Sequence, residues 1–182
     1  MRINGAAAGA WVSWFPNTTI EWAMSYRRQV SQALDDEHRA NLDLLGRVEQ
    51  AFARAGRVPD LARLAGEFGR HLDQDLARHF DFEERELFPR MAEAGDGDMA
   101  ALLVEEHDAI RAVAGELLPL TRAAAAGTLD EAGWGALKRG ALELVERQVA
   151  HIQKETMALL PLLDDLLDED SDRDLAFAYA AG

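Results

Sequence analysis

Two His-x-x-x-Glu pairs, His79 with Glu83 and His151 with Glu155, lie inside otherwise apolar stripes of helical period in two well-separated stretches of the chain. Carboxylates are costly there, because burying an unpaired one costs on the order of several kcal/mol unless positive charge meets it. Residues four apart stand on one face of a helix about one turn from each other, so each pair presents an imidazole and a carboxylate to the same side. Imidazole and carboxylate oxygen are the donors that first-row metal ions take, and a metal ion is the simplest source of the missing charge.

The other histidines extend the pattern. His38 lies between Leu34 and Leu42, and His107 follows Leu103 and precedes Ile110, so four histidines fall on apolar stripes, one in each of four helical segments. A single histidine on such a stripe is ordinarily a hydrogen-bonded core residue, but four of them, two with a glutamate one turn later, make a ligand set. His38, His79, Glu83, His107, His151 and Glu155 supply six nitrogen and oxygen donors without sulfur. That suits iron, manganese or zinc, exceeds what one tetrahedral zinc needs, and leaves two carboxylates free to bridge a pair of ions.

The elements that must position these donors are helices. Leu34, Leu42, Leu45, Val48 and Phe52 mark the first, from Met24 to about Ala55, closed by Gly56 and Pro59. Leu61, Leu64, Phe68, Leu72, Leu76, Phe80 and Leu87 mark the second, from Asp60 to about Ala94, with a bend expected near Pro89 and a stop at Gly95-Asp96-Gly97-Asp98. The third runs from about Leu102 toward Gly127, with Pro119 as a candidate kink. The fourth runs from about Leu129 to Leu167, with Thr128 as its cap and Pro161 disturbing its late part. Almost no stretch alternates as a strand would. Long amphipathic helices joined by short loops predict an all-α fold, an antiparallel up-down-up-down four-helix bundle.

At 182 residues one domain is the default. We divide the chain into residues 1–23, an aromatic arm or an upstream extension with Met24 as the start; residues 24–167, the bundle; and residues 168–182, an acidic tail that either docks or frays. Residues 3–20 carry no charge but are too short and too interrupted by polar residues for a membrane span or an ordinary signal segment. A net charge of −14 argues against nucleic-acid and anionic-membrane partners. The absence of cysteine removes disulfides and thiolate ligands. A cytoplasmic protein is the expectation.

The string from His79 through Phe80, Asp81, Phe82 and Glu83 to Pro89, the isolated His38 and His107, and His151 to Glu155 followed by Pro161 resemble the hemerythrin-like HHE cation-binding family over about Gln32 to Leu167. The resemblance implies two iron ions in an oxo- or hydroxo-bridged centre, with manganese or zinc as alternatives. Glu83 and Glu155 would bridge the ions and the four histidines would be terminal ligands. In the oxygen carriers of that superfamily the third helix brings a second histidine one turn after the first; here that position is Arg111, either exposed or turned inward to a bridging carboxylate or a bound anion. The change favours reaction with peroxide, nitric oxide or oxygen over reversible oxygen carriage.

The expected partners are therefore a small oxidant and an electron donor that the sequence does not identify. A non-catalytic iron, oxygen or redox sensor and an iron storage or delivery protein stand as alternatives. His71, about 80° around the helix from His79 at the ordinary step per residue, is read as a surface residue paired with Asp75. A phosphotransfer bundle would need that histidine exposed. Glu84, Glu86, Glu105 and Glu106 are read as a solvated acidic face, and Lys154 as a surface residue.

Overall fold

A computed structural model describes residues 26–53 and 60–181. The arm at residues 1–23 lies outside them. The first helix is Gln29–Ala53; the second occupies residues 61–91; the third is Gly97–Ala125; the fourth occupies residues 131–166; and a further helix, Glu169–Ala181, follows. No strand occurs among the described residues, and no helix among them is long and apolar enough to cross a membrane. The first helix packs on the fourth, the fourth on the third, and the third on the second.

Gly95 takes φ 108°, a left-handed conformation that suits glycine, and breaks the chain between the second and third helices where the sequence placed a stop. Pro119 does not kink the third helix, which runs unbroken through an exposed proline. The cap of the fourth helix is corrected: Asp130 accepts from the Gly133 amide at 2.7 Å, while the Thr128 hydroxyl donates back to the Ala123 carbonyl at 3.2 Å and closes the preceding helix.

Pro89 and Pro161 are accommodated in a common way. Each follows a wide π turn, Glu83–Leu87 and Glu155–Leu159, in which the Phe88 amide reaches back five residues to Glu83 and the Leu160 amide to Glu155. A proline in a helix removes one amide and crowds the preceding turn, and an inserted residue widens that turn instead of breaking the helix. Both carboxylates of the sequence motif therefore open a π turn.

The tail docks. Helix Glu169–Ala181 lies along the first helix, burying Asp172, Leu175 and Tyr179 on one face. Asp172 accepts from the Gln29 and Val30 amides at 2.9 and 3.0 Å, and Asp164 from the Arg27 and Arg28 amides at 2.6 and 2.8 Å. The amides at the start of the first helix, which no helical carbonyl can serve, are thus met by two carboxylates from the other end of the chain.

Two apolar clusters fill the interior. One contains Leu45, Phe68, Leu76, Phe80, Ile110, Leu144 and Ile152; the other contains Leu34, Leu87, Phe88, Leu103, Leu159, Leu163 and Leu175. The switch from one cluster to the other falls around His38 on the first helix, between His79 and Glu83 on the second, around His107 on the third and around Glu155 on the fourth.

Candidate metal centre

The polar layer between these clusters is built from His38 on the first helix, His79 and Glu83 on the second, His107 on the third, and His151 and Glu155 on the fourth. All six are buried, with both glutamates fully inaccessible. Their donor atoms form two overlapping groups, His38, His79, Glu83 and Glu155, and Glu83, His107, His151 and Glu155, each within 4.8 Å. Glu83 turns Oε1 toward His79 Nε2 at 3.2 Å and Oε2 toward His107 Nε2 at 3.4 Å. Glu155 turns Oε2 toward His38 Nε2 at 3.2 Å and Oε1 toward His151 Nε2 at 3.0 Å. Each group has two imidazoles, and both carboxylates serve both groups.

Close as these contacts are, none of the four carboxylate oxygens has a hydrogen-bond partner. The nitrogens and oxygens stand beside one another without donating along a bond axis. Buried carboxylates nearly always take hydrogen bonds, so four orphaned oxygens ringed by imidazole nitrogens are the chemistry of a cation site. The donor set fits a metal ion in each group.

The outward nitrogens of His79, His107 and His151 explain how those three rings are held. His107 Nδ1–H donates to Glu84 at 2.8 Å, and Arg111 donates to the same Glu84 oxygen at 2.7 Å. His151 Nδ1–H donates to Glu106 at 3.0 Å, and Lys154 to the other Glu106 oxygen at 2.7 Å. His79 Nδ1–H donates to the Tyr179 hydroxyl at 3.1 Å; that hydroxyl donates to Glu37, which Arg78 also engages at 2.8 Å. A carboxylate can only accept, so it fixes the proton on Nδ1 and leaves the Nε2 lone pair facing inward.

Glu37, Glu84 and Glu106 each sit next in sequence to a motif residue on one helix and reach the imidazole of the following helix. Glu84 and Glu106 are thus not a solvated face. Arg111 takes neither of its expected places: half-buried, it braces Glu84 and lies over the Phe80 ring, its guanidinium carbon 5.3 Å from that ring's centre. Lys154 is a brace on Glu106 rather than an idle surface charge. Phe80 stacks on His107 with ring centres 3.6 Å apart, and Phe88 lies 5.2 Å from the same ring, so that side of the layer is walled from water.

His71 is the largest departure from the sequence reading. It is buried, and its Nε2 meets the Gln148 side-chain amide at 2.9 Å, with Asp75 at a looser 3.9 Å. A π turn at His71–Asp75 is the reason: one residue inserted between His71 and His79 cancels about 100° of rotation, so an expected offset of about 80° becomes about −20°. Both rings then share a face. Burial holds the His71 imidazole below its ordinary range, and the exposed histidine required for phosphotransfer is gone. His71→Ala should leave metal content intact while lowering stability by about 2 kcal/mol, because Gln148 loses a buried partner; chemical denaturation of the variant measures it.

Without an ion, protons must balance the carboxylates. Burial pulls the His107 imidazole down, but the carboxylates of Glu155 and Glu83 close beside it override burial and lift it to about 9. The same contest raises His79 and His151, and Glu155 is held well below its usual range despite its burial, chiefly by His151. A raised folded value gives stability that is complete below the ordinary 6.5 and is lost as pH climbs through about 9. The melting temperature of the metal-free protein should therefore fall across that window, and metal affinity should rise across it as ions have fewer protons to displace. Thermal melts of the chelated protein and metal titrations at several pH values check both signs.

Comparison with known proteins adds one match. The family described as hemerythrin HHE cation binding domain matches residues 29–163, which include all six residues of the polar layer. No curated protein matches the chain.

Proposed function

Since this chain belongs to the hemerythrin HHE cation-binding domain family, we propose that His38, His79, Glu83, His107, His151 and Glu155 hold two iron ions and that the centre binds or reacts with a small oxidant. The observation that carries this reading is the set of four buried, orphaned carboxylate oxygens, each facing an imidazole nitrogen of one group. Manganese or zinc would find the same donors, but two carboxylates common to both groups, with imidazoles at each side, would suit a redox-active pair. The helices are read as an antiparallel up-down-up-down bundle. In support, the first and third helices pass from the Leu34 cluster to the Leu45 cluster along the chain, and the second and fourth pass the opposite way.

Bound iron would supply the redox change and an open coordination position for oxygen, hydrogen peroxide or nitric oxide. The protein supplies the rest. Glu83 and Glu155 place one oxygen toward each group. Glu84, Glu106 and Tyr179 fix the His107, His151 and His79 rings, and Phe80 and Phe88 exclude water from the side of His107. Each group offers four donors, fewer than the six that iron commonly takes, and Arg111 adds none. That deficit supports peroxide or nitric-oxide handling over oxygen carriage.

The test is to load the protein with ferrous iron without air and to add hydrogen peroxide, nitric oxide and oxygen separately. Repeated consumption of peroxide or nitric oxide in the presence of a reductant supports the reading. A single colour change with no turnover, accompanied by a large shift in protease resistance, would replace it with the sensor reading.

A further inference from the structure

The two ion-binding groups are built alike on the inside but not on the outside. His107 and His151 donate directly to glutamates of the helix before them, at 2.8 and 3.0 Å. At His79 the corresponding glutamate, Glu37, stands 3.3 Å from Nδ1, and its nearer oxygen has no hydrogen-bond partner. The Tyr179 hydroxyl takes the bond instead at 3.1 Å and donates its own hydrogen bond to the other Glu37 oxygen. Tyr179 comes from helix Glu169–Ala181, wholly outside residues 29–163 that match the family.

Its ring is held on more than one side. The phenol is 7% exposed, packs on Phe82 with ring centres 4.8 Å apart, and lies under the Arg78 guanidinium at 5.1 Å. Two turns earlier on the same face, Asp172 is tied to the first amides of the helix that carries Glu37 and His38. Leu175, between these two anchors, is buried in the cluster that also holds Leu34 and Leu163. The helix is fastened at Asp172 and Tyr179, and the second fastening bears on one ring of the metal centre.

We infer that Tyr179 is a positioning residue for His79, and that the C-terminal helix thereby controls one of the two ion-binding groups and not the other. The hydroxyl accepts from Nδ1–H and so keeps the Nε2 lone pair of His79 directed at Glu83 and His38. Glu37 alone cannot replace it, because its oxygen is not aligned with the ring nitrogen. Loss of such an outer partner weakens metal affinity by roughly 10–100-fold. The inference rests on the metal-binding reading given above.

Tyr179→Phe removes the hydroxyl and keeps the ring against Phe82 and Arg78. Cobalt(II) titrations of the metal-free protein, followed by calorimetry and by visible absorption, resolve the two binding events. His79→Ala and His151→Ala identify which event belongs to which group. Tyr179→Phe is expected to weaken by about tenfold the event that His79→Ala abolishes, to change its cobalt absorption band, and to leave the event that His151→Ala abolishes unaltered. Unchanged affinities and bands for both events would overturn the inference while leaving the metal-binding reading intact. Equal weakening of both, with a lowered melting temperature, would also overturn it, since the helix would then act through the fold alone. A wild-type protein that binds no cobalt would instead remove the reading on which the inference depends.

Discussion

Glu155→Ala is expected to abolish tight metal binding at both groups at once, with affinity falling at each by more than the roughly 100-fold that loss of an outer partner can cost. The reason is the split use of one side chain. Glu155 offers Oε2 to the His38 side and Oε1 to the His151 side, so its removal takes one donor and a share of negative charge from both. Glu83→Ala should act the same way, because its two oxygens are divided between His79 and His107. His38→Ala should differ, since His38 belongs to one group only. Metal content by elemental analysis, with circular dichroism to show retained helix, checks the contrast. Equal residual metal in Glu155→Ala and His38→Ala would refute the shared role of Glu155.

Stripping the metal should lower the melting temperature by about 8–16 °C. Six ionisable side chains form one buried layer across all four helices, and an ion held there stabilises only the folded chain. At a free metal concentration about 1,000 times the dissociation constant the gain is about 4 kcal/mol, and for a chain of this size 1 kcal/mol corresponds to about 2–4 °C. Part of the loss is offset by imidazolium, since His79, His107 and His151 gain protons when the ions leave. The drop should consequently be larger at pH 9, where His107 gives up its proton, than at pH 6.5. Scanning calorimetry with and without chelator at the two pH values measures both effects. A melting temperature that ignores the chelator at either pH would contradict a structural metal layer.

Most of the inner layer was legible because spacing carries it. His79 with Glu83 and His151 with Glu155 are one turn apart on stripes that periodicity alone marks as buried, and His38 and His107 sit on the two remaining stripes. The outer layer was not legible, because Glu84 and Glu106 are adjacent to motif residues and point about 100° away from their own stripe. Their work is done on the neighbouring helix, which periodicity along one helix cannot register.

His71 was misread for a sharper reason. A uniform helical step puts it about 80° from His79, and the π turn inserted between the two residues invalidates that step. Tyr179 did carry a signal, since Asp172, Leu175, Ala176 and Tyr179 recur at the spacing of one helical face. What the sequence did not contain was the surface that face would meet, which is assembled from the first helix and the second. Thr128 suits a cap by residue type, yet Asp130 is the residue that the helix start places within reach of Gly133.

The most direct test of the central claim is the content of iron, manganese and zinc per chain in untagged protein expressed in iron-supplemented medium. About two irons per chain is the expected result, one for each group of two imidazoles around two shared carboxylates. A single zinc per chain, or no metal at all, would contradict it and leave the four-helix layer of histidines and glutamates without the cation that its orphaned oxygens demand.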